Sequence, residues 1–437
     1  MIRTNFGVAA ALSAACVLFS AGCGSGSAAP PRITHGPWLA AVAPEDVSLW
    51  MRASSDAEGV VALRKADDPT AFATKKPVSF SVADDGCRTV RFAGLVPDQD
   101  YLATVTLQNG SGTAEVAFRT PRRFDAPQTV RLVFGSCAQE RAGKSNPVFP
   151  AIRARKPDAF VLIGDTPYID SLRLDIQRRR YREFFSDPGL AALRGMTATY
   201  AVWDDHDFGR NDSDGRLQGK EQARRAFVEW HAEGRYGIDG EGVNSSFRSG
   251  AIEVFLLDAR WWSGTTRSSF DPARRTLLGA KQQAWLEERL LASNAAFKLL
   301  VTGMVWNDAV REKKTDYWGA YPHERAGLFR FLSDRRIRGV VLVGGDVHRS
   351  RYFVHPSAET GLPYPLHEVV TSPLGHSIHK NAEVGHPNLR FERGEPHAFA
   401  ELEAATPAGG GDPTLTMRWR NAAGDVLHET KTKAADL

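Results

Sequence analysis

The chain has 437 residues, with 55 lysines and arginines against 51 acidic residues and a formal charge of +4. So small a surplus excludes the clustered basic stripes of a nucleic-acid-binding surface, and an apolar fraction of 42% excludes a mainly disordered chain. The length exceeds one ordinary core, so two domains of unequal size are expected.

Residues 1–30 read as a signal peptide and tether rather than as part of the fold. Arg3 supplies a basic end, Val8 to Phe19 is apolar, and Ala21-Gly22-Cys23 runs into Gly24-Ser25-Gly26-Ser27. The apolar run is too short for an ordinary transmembrane helix. This end is similar to a bacterial lipoprotein signal, which implies lipidation of Cys23 and attachment to a membrane through it; a plain cleaved secretory signal is the alternative. Either form places the protein outside the cytoplasm, whether secreted, periplasmic or lipid-anchored to the envelope. With Cys16 and Cys23 set aside, Cys87 and Cys137 remain, enough for one disulfide and not for a disulfide framework.

Residues 34–122 read as a small β-sandwich. Val47, Leu49 and Met51 alternate with other residues, as do Val90 and Phe92, and Tyr101, Ala103, Val105 and Leu107 form a period-2 run that ends at the turn signal Asn109-Gly110. Val116 and Phe118 fit the returning strand. The Gly94-Leu95-Val96-Pro97 to Tyr101 segment resembles a fibronectin type III or immunoglobulin-like module with a tyrosine at its corner. No ionisable cluster in this region reads as a site.

The prolines and mixed charge of Pro121 to Pro127 mark a boundary, and residues 127–437 follow a different pattern. Strand-like runs at Thr129 to Phe134, Asp158 to Ile163, Met196 to Val202, Ile252 to Leu257, Phe297 to Thr302 and Gly339 to Val343 alternate with helical patterns at Phe149 to Lys156, Leu174 to Phe185, Lys220 to His231, Lys281 to Ala292 and Arg325 to Asp334. This is the grammar of an α/β layered fold, with no Gly-rich dinucleotide or Walker pattern after any strand. Phe399 to Leu402 and Leu415 to Trp419, around Gly409 to Gly411, read as a closing hairpin.

Chemistry-bearing residues recur where these strands end. Gly135-Ser136-Cys137 follows the first; a lone cysteine there is more often a small core residue. Gly164-Asp165 with Tyr168 follows the second, where an aspartate could merely cap a helix. Trp203-Asp204-Asp205-His206-Asp207-Phe208-Gly209-Arg210-Asn211-Asp212 follows the third, and its crowded carboxylates repel one another unless they are solvated or share a counter-ion such as a metal. Asp346 and His348 follow the run Val340 to Val343, two apart and on one face if the chain stays extended. Four such junctions together are much harder to explain structurally than any one alone.

These segments, with Leu257-Asp258-Ala259-Arg260 and Ser372-Pro373-Leu374, resemble in order and spacing the alkaline phosphatase D family of the calcineurin-like metallophosphoesterases. The resemblance implies a four-layer α/β/β/α core preceded by the sandwich, and metal-dependent hydrolysis of phosphate esters by a metal-activated hydroxide. It implies that Cys137, Asp165, Tyr168 and His348 hold one metal, and that Asp165, Asp205 and Asp346 hold a second. A thiolate and a phenolate call for a strongly Lewis-acidic ion, and an oxygen-dominated site for a hard cation. The pair implied is ferric iron (Fe3+) with calcium (Ca2+), with Mn2+, Mg2+ or Zn2+ as alternatives. No histidine stands in Thr302 to Asp308, where the wider superfamily has one; Asn307 or Asp308 could take its place. His206 matches the superfamily histidine that contacts the phosphoryl group or leaving oxygen, with Asp204 or Asp207 holding its charge. Arg210 and Arg260 could clamp phosphate oxygens, although a salt bridge from Arg260 to Asp258 is an equal reading, and His376 either lines or supports the cleft. Two other functions stay open in the sequence: a phospholipase D-like phosphodiesterase, and a non-catalytic surface or adhesion protein with a metal-stabilised core.

Overall fold

A computed structural model describes residues 29–68, 73–108, 110, 112–139, 145–231 and 235–437. The signal-like segment with Cys23, and Asn109 of the expected turn, lie outside the described residues. Residues 31–437 form one compact unit, and among the described residues no helix is long and apolar enough to cross a membrane.

The amino-terminal strands form two antiparallel sheets. Ile33–Ala43, Asp46–Ala53 and Cys87–Ala93 make one, and Thr74–Phe80, Ala57–Lys65, Asp100–Leu107 and Thr113–Arg119, in that spatial order, make the other. Tyr101, Ala103, Val105 and Leu107 are buried on a single face, as period-2 alternation requires. The Tyr101 hydroxyl accepts from the Val96 amide at 3.0 Å, the tyrosine-corner bond that holds the turn against the following strand.

Two further sheets carry the rest of the chain. The six-stranded sheet runs Ala198–Val202, Ala159–Ile163, Gln128–Gly135, Phe399–Thr406, Thr414–Arg420, Val426–Lys433. Its first three strands are parallel and the closing hairpin is antiparallel to them. The seven-stranded sheet runs Ser245–Ser249, Ile252–Leu256, Phe297–Val301, Val340–Gly344, Leu366–Val370, Ser350–His355, Leu389–Arg393, with a parallel centre and antiparallel edges. Every residue of the strands Ala159–Ile163, Ala198–Val202, Phe297–Val301, Val340–Gly344 and Leu366–Val370 is buried, so both faces of each sheet are covered there. The sheets face each other: Trp419 Nε1 donates to the Val370 carbonyl at 2.9 Å, and the rings of Tyr200 and Phe247 stack with centroids 3.6 Å apart. Helices Val148–Ala154, Leu174–Phe185, Lys220–Trp230, Gly279–Ala292 and Pro322–Asp334 fall within a few residues of the expected spans. This is the α/β/β/α arrangement.

One short helix, Pro188–Arg194, is absent from the sequence reading. Its start signal was present: Asp187 caps the amides of Gly189 and Leu190, and proline holds the first helical position. The helix delivers Arg194 into the aromatic seam between the first sandwich sheet and the six-stranded layer. There its guanidinium lies 4.3 Å from the Trp38 ring and 4.2 Å from Phe185. Trp38 stacks on Trp50 at 5.0 Å, and Trp50 Nε1 donates to the Glu229 carbonyl at 2.8 Å.

Trp50 is fully buried in that seam. Its replacement in Trp50→Ala removes the stack, the hydrogen bond and the filled volume together, and is expected to cost about 3–5 kcal/mol in guanidinium unfolding. A loss below about 1 kcal/mol would show that the seam is not a principal support of the fold.

Candidate metal centre

The three adjacent parallel strands of the six-stranded sheet end on the same edge, where their loops deliver side chains to one crevice. Cys137 leaves Gln128–Gly135, Asp165 leaves Ala159–Ile163, and Asp205 opens a single turn after Ala198–Val202. Asp346 and His348 reach the same place from Val340–Gly344 of the facing sheet. The backbone bends sharply to do this: Cys137, Asp165, Asp346 and His348 have φ of 55°, 55°, 67° and 53°, the left-handed region that non-glycine residues occupy rarely and at a cost. At Gly164, with φ of 94°, a side chain would meet Asp204 Cβ at 2.4 Å, so only glycine lets these two loops pass.

Cys137, Asp165 and His348 each offer a ligand atom within 4.8 Å of the others, and so do Asp165, Asp205 and His206. Cys137 Sγ lies 3.6 Å from Asp165 Oδ2, and the Tyr168 hydroxyl 2.7 Å from His348 Nε2. His348 donates from Nδ1 to the Ser377 carbonyl at 2.8 Å, a bond that leaves the Nε2 lone pair facing Tyr168 and the cavity. Both Cys87 and Cys137 are free thiols.

The donor set is electron-rich and poorly satisfied by the protein itself. Asp165 is 2% exposed, and its oxygens meet the His206 amide at 3.3 Å and the Cys137 thiol, fewer partners than a carboxylate accepts. Burial, then the Asp205 carboxylate, pushes its pKa well up. Burial and Asp165 push the Cys137 thiol up, and burial with Cys137 and Asp165 does the same to the Tyr168 phenol. Such a set is stabilised in its anionic form by a bound cation, and it fits one.

A third group, Asp205, Asp212 and Asp316, adjoins the first two. Asp205 accepts from the His206 amide at 3.0 Å and the Asp212 amide at 2.7 Å. Against the penalty of burial, Arg260, His206 and the Asp212 amide hold its pKa down at about 2. Lys314 Nζ sits 2.8 Å from Asp316 Oδ1 and 2.7 Å from Asp346 Oδ2. Burial, opposed by Lys314, leaves the Asp346 carboxyl at about 6.

Several residues are placed differently from the sequence reading. The Arg260 guanidinium is 1% exposed and bonded to Asp204 Oδ1, Asp316 Oδ2 and the Ser213 carbonyl, so it supports the carboxylates from behind and offers no clamp to substrate. Its ion-pair partners are Asp204 and Asp316, whereas Asp258 accepts from Trp203 Nε1 and the amides of Val243, Arg260 and Trp261. Arg210 is exposed and does not line the cavity. The charge of His206 is held by neither Asp204 nor Asp207: Asp170 Oδ1 lies 2.7 Å from His206 Nδ1, leaving Nε2 for the cavity. Asp204 and Asp207 instead cap each other's backbone. Asn307 donates to Glu368 at 2.7 Å and Asp308 pairs with Arg325, so neither joins the centre. His376 meets the Gln139 carbonyl, and it is His379 that stacks on His348 at 4.0 Å.

The family model described as PhoD-like phosphatase matches residues 132–405. Alkaline phosphatase D of Bacillus subtilis (strain 168) is 26% identical over 209 residues, 41% of this chain and 36% of that protein, so the match spans about a third of that relative's length. A solved structure described as that of PhoD superposes with a TM-score of 0.70 at 18% identity, covering 92% of this chain and 88% of that one. A purple acid phosphatase isolated from yellow lupin (Lupinus luteus) seeds gives 0.68 at 14% identity, covering 93% and 74%. Both share the fold.

Two measurements test the charge network. Burial works against the His206 cation, but the Asp170 bond and the carboxylates of Asp165 and Asp205 outweigh it and raise its pKa to about 10 from 6.5. A group raised in this sense contributes stability that is complete below 6.5 and is lost as pH climbs through about 10. In chelator-treated protein the imidazole resonances of His206 are therefore expected to titrate in the alkaline range, and Asp170→Asn to bring that titration down; an unchanged midpoint would refute the pairing. Arg260→Met strands Asp204 without its buried cation and leaves Asp316 with Lys314 alone, and is expected to cost about 3–5 kcal/mol in unfolding. A fully stable Arg260→Met protein would contradict the structural role.

Proposed function

This chain belongs to the PhoD-like phosphatase family, and we propose that it hydrolyses phosphate esters outside the cytoplasm with the help of two metal ions. The observation that carries this reading is the convergence of Cys137, Asp165, Asp205 and His348 from separate strand ends, with Tyr168 on His348 and Asp346 on the same small cavity. Cys137, Asp165, Tyr168 and His348 would hold ferric iron, and Asp165, Asp205 and Asp346 calcium, a soft and phenolic donor set beside an oxygen-only one. Bound there, the ions supply Lewis-acid charge to the phosphoryl oxygens and acidify the attacking water.

The chain's own residues do the rest. Asp165 would contribute to both positions, its carboxylate offsetting cationic charge there. His206, held by Asp170, presents Nε2 to the leaving-group oxygen as a proton donor. Cys137 is 0% exposed behind Asp165, a position that serves ligation and not attack on a substrate, so no covalent enzyme intermediate is needed. The signal-like residues 1–30 support export, and Cys23 supports a lipid anchor.

Protein purified from cells supplied with iron and calcium is expected to hold about one iron and up to about one calcium per chain, to be coloured by the phenolate of Tyr168, and to hydrolyse p-nitrophenyl phosphate or bis-p-nitrophenyl phosphate. Asp165→Asn should lose metal and all turnover. His206→Ala should keep both metals and lose about 10²- to 10⁴-fold in kcat. A colourless active enzyme with two zincs would defeat the iron and calcium assignments, and metal-replete protein inert to every phosphate ester would defeat the function.

A further inference from the structure

We propose that Arg311 binds the phosphoryl oxygens of the substrate, the role that the sequence offered to Arg210 and Arg260. The inference rests on the phosphoesterase reading above and adds to it the residue that recognises the phosphate. Asp165, His206, Arg311, Lys314, Asp346 and His348 line a cavity of about 70 Å³, comparable in scale to one phosphate group. Metal ions bound there would supply charge without directed N–H donors, so fixing the orientation of a phosphate calls for a side chain with free donors.

The cations near the cavity differ in what they have left to give. Arg260 is outside the wall and spent on Asp204 and Asp316. Lys314 is 5% exposed and engaged with two carboxylates. His206 has one ring nitrogen on Asp170. Arg311 is half-buried on the loop between strand Phe297–Val301 and helix Pro322–Asp334, and among the described residues its guanidinium has no carboxylate partner and no side-chain hydrogen bond. Lys314 already occupies oxygens of both Asp346 and Asp316. A planar guanidinium with all its donors unclaimed, at the rim of a phosphate-sized cavity, matches two phosphate oxygens in a way that a committed cation does not.

The full chain loaded with iron and calcium tests this through Arg311→Ala and Arg311→Lys, with KM and kcat for p-nitrophenyl phosphate, calorimetric binding of inorganic phosphate, metal content and Tm. Arg311→Ala is expected to raise both KM and the phosphate dissociation constant by about 10- to 100-fold, the scale of a lost charged hydrogen-bond pair, with metal content and Tm unchanged. Arg311→Lys should recover part of the binding. Constants within about twofold of wild type overturn the assignment, and so does loss of metal or stability in Arg311→Ala. If wild-type protein neither hydrolyses the ester nor binds phosphate, the phosphoesterase reading falls as well; if wild type does both and Arg311→Ala is unaltered, only Arg311 is excluded.

Discussion

The carboxylates of Asp165, Asp204, Asp205, Asp207, Asp316 and Asp346 meet where water is largely excluded, and the rest of the centre is arranged around that repulsion. Unpaired, each would lose the hydration it has in an unfolded chain. Arg260 and Lys314 are the main protein answers, and both come from loops of the seven-stranded sheet, whereas Asp204 and Asp205 follow a strand of the six-stranded one. The Arg260 ion pairs thus tie the two sheets at the loops that follow their strands, while the Trp419 and Tyr200 contacts tie them elsewhere. Asp258 is part of the same device: by gathering the amides of Arg260 and Trp261 and the indole of Trp203, it fixes the turn from which the guanidinium reaches Asp204.

Holding these groups together also costs backbone energy. Left-handed conformations at Cys137, Asp165, Asp346 and His348 cost roughly 1–2 kcal/mol each, and they persist because the strands leading into them, buried where they enter the loops, leave the loops little freedom. Close packing between the loops adds a second restraint. A side chain at Gly135 would meet Leu374 at 2.4 Å, and one at Gly345 would meet Ser136 Oγ at 2.5 Å. The sheet edges therefore act as rigid mounts, and ligand atoms on them are placed by the core and not by each other.

This division explains what the sequence revealed. Strand ends were legible because apolar runs such as Val340 to Val343 stop abruptly at Gly344 and the polar residues after it, and the ordered motifs on those ends identified the family. Strands Ser350–His355 and Leu366–Val370 were not read, because Arg351, His367 and Glu368 interrupt the apolar pattern although all three are buried. Their polarity is absorbed by partners far away in the chain: His355 and Asn307 for Glu368, Tyr352 for His367, Glu392 for Arg351. Partner choice failed for the same reason. Asp204 and Asp207 are His206's neighbours in sequence, but helical geometry turns them to each other's backbone, and Asp170 approaches from the loop after Tyr168. Lys314 and Asp316 carried no motif at all; only folding shows that they reach the carboxylates of the centre from the loop after Phe297–Val301.

The two halves of the centre are unequal in a way that bears on the proposed metals. Around Cys137, Tyr168 and His348 the bonds are among the donors themselves and to the neutral carbonyl of Ser377 and hydroxyl of Ser136. The His206 ring lies 4.2 Å from that of Tyr168, and its raised pKa makes it a cation there, so the charge of a phenolate on that side is partly offset by an imidazolium. On the other side Lys314 holds Asp346, and Arg260 stands 3.9 Å from Asp205. These fixed cations lower the field that a second ion would feel at Asp205 and Asp346, whereas Asp165 is paired with neither of them.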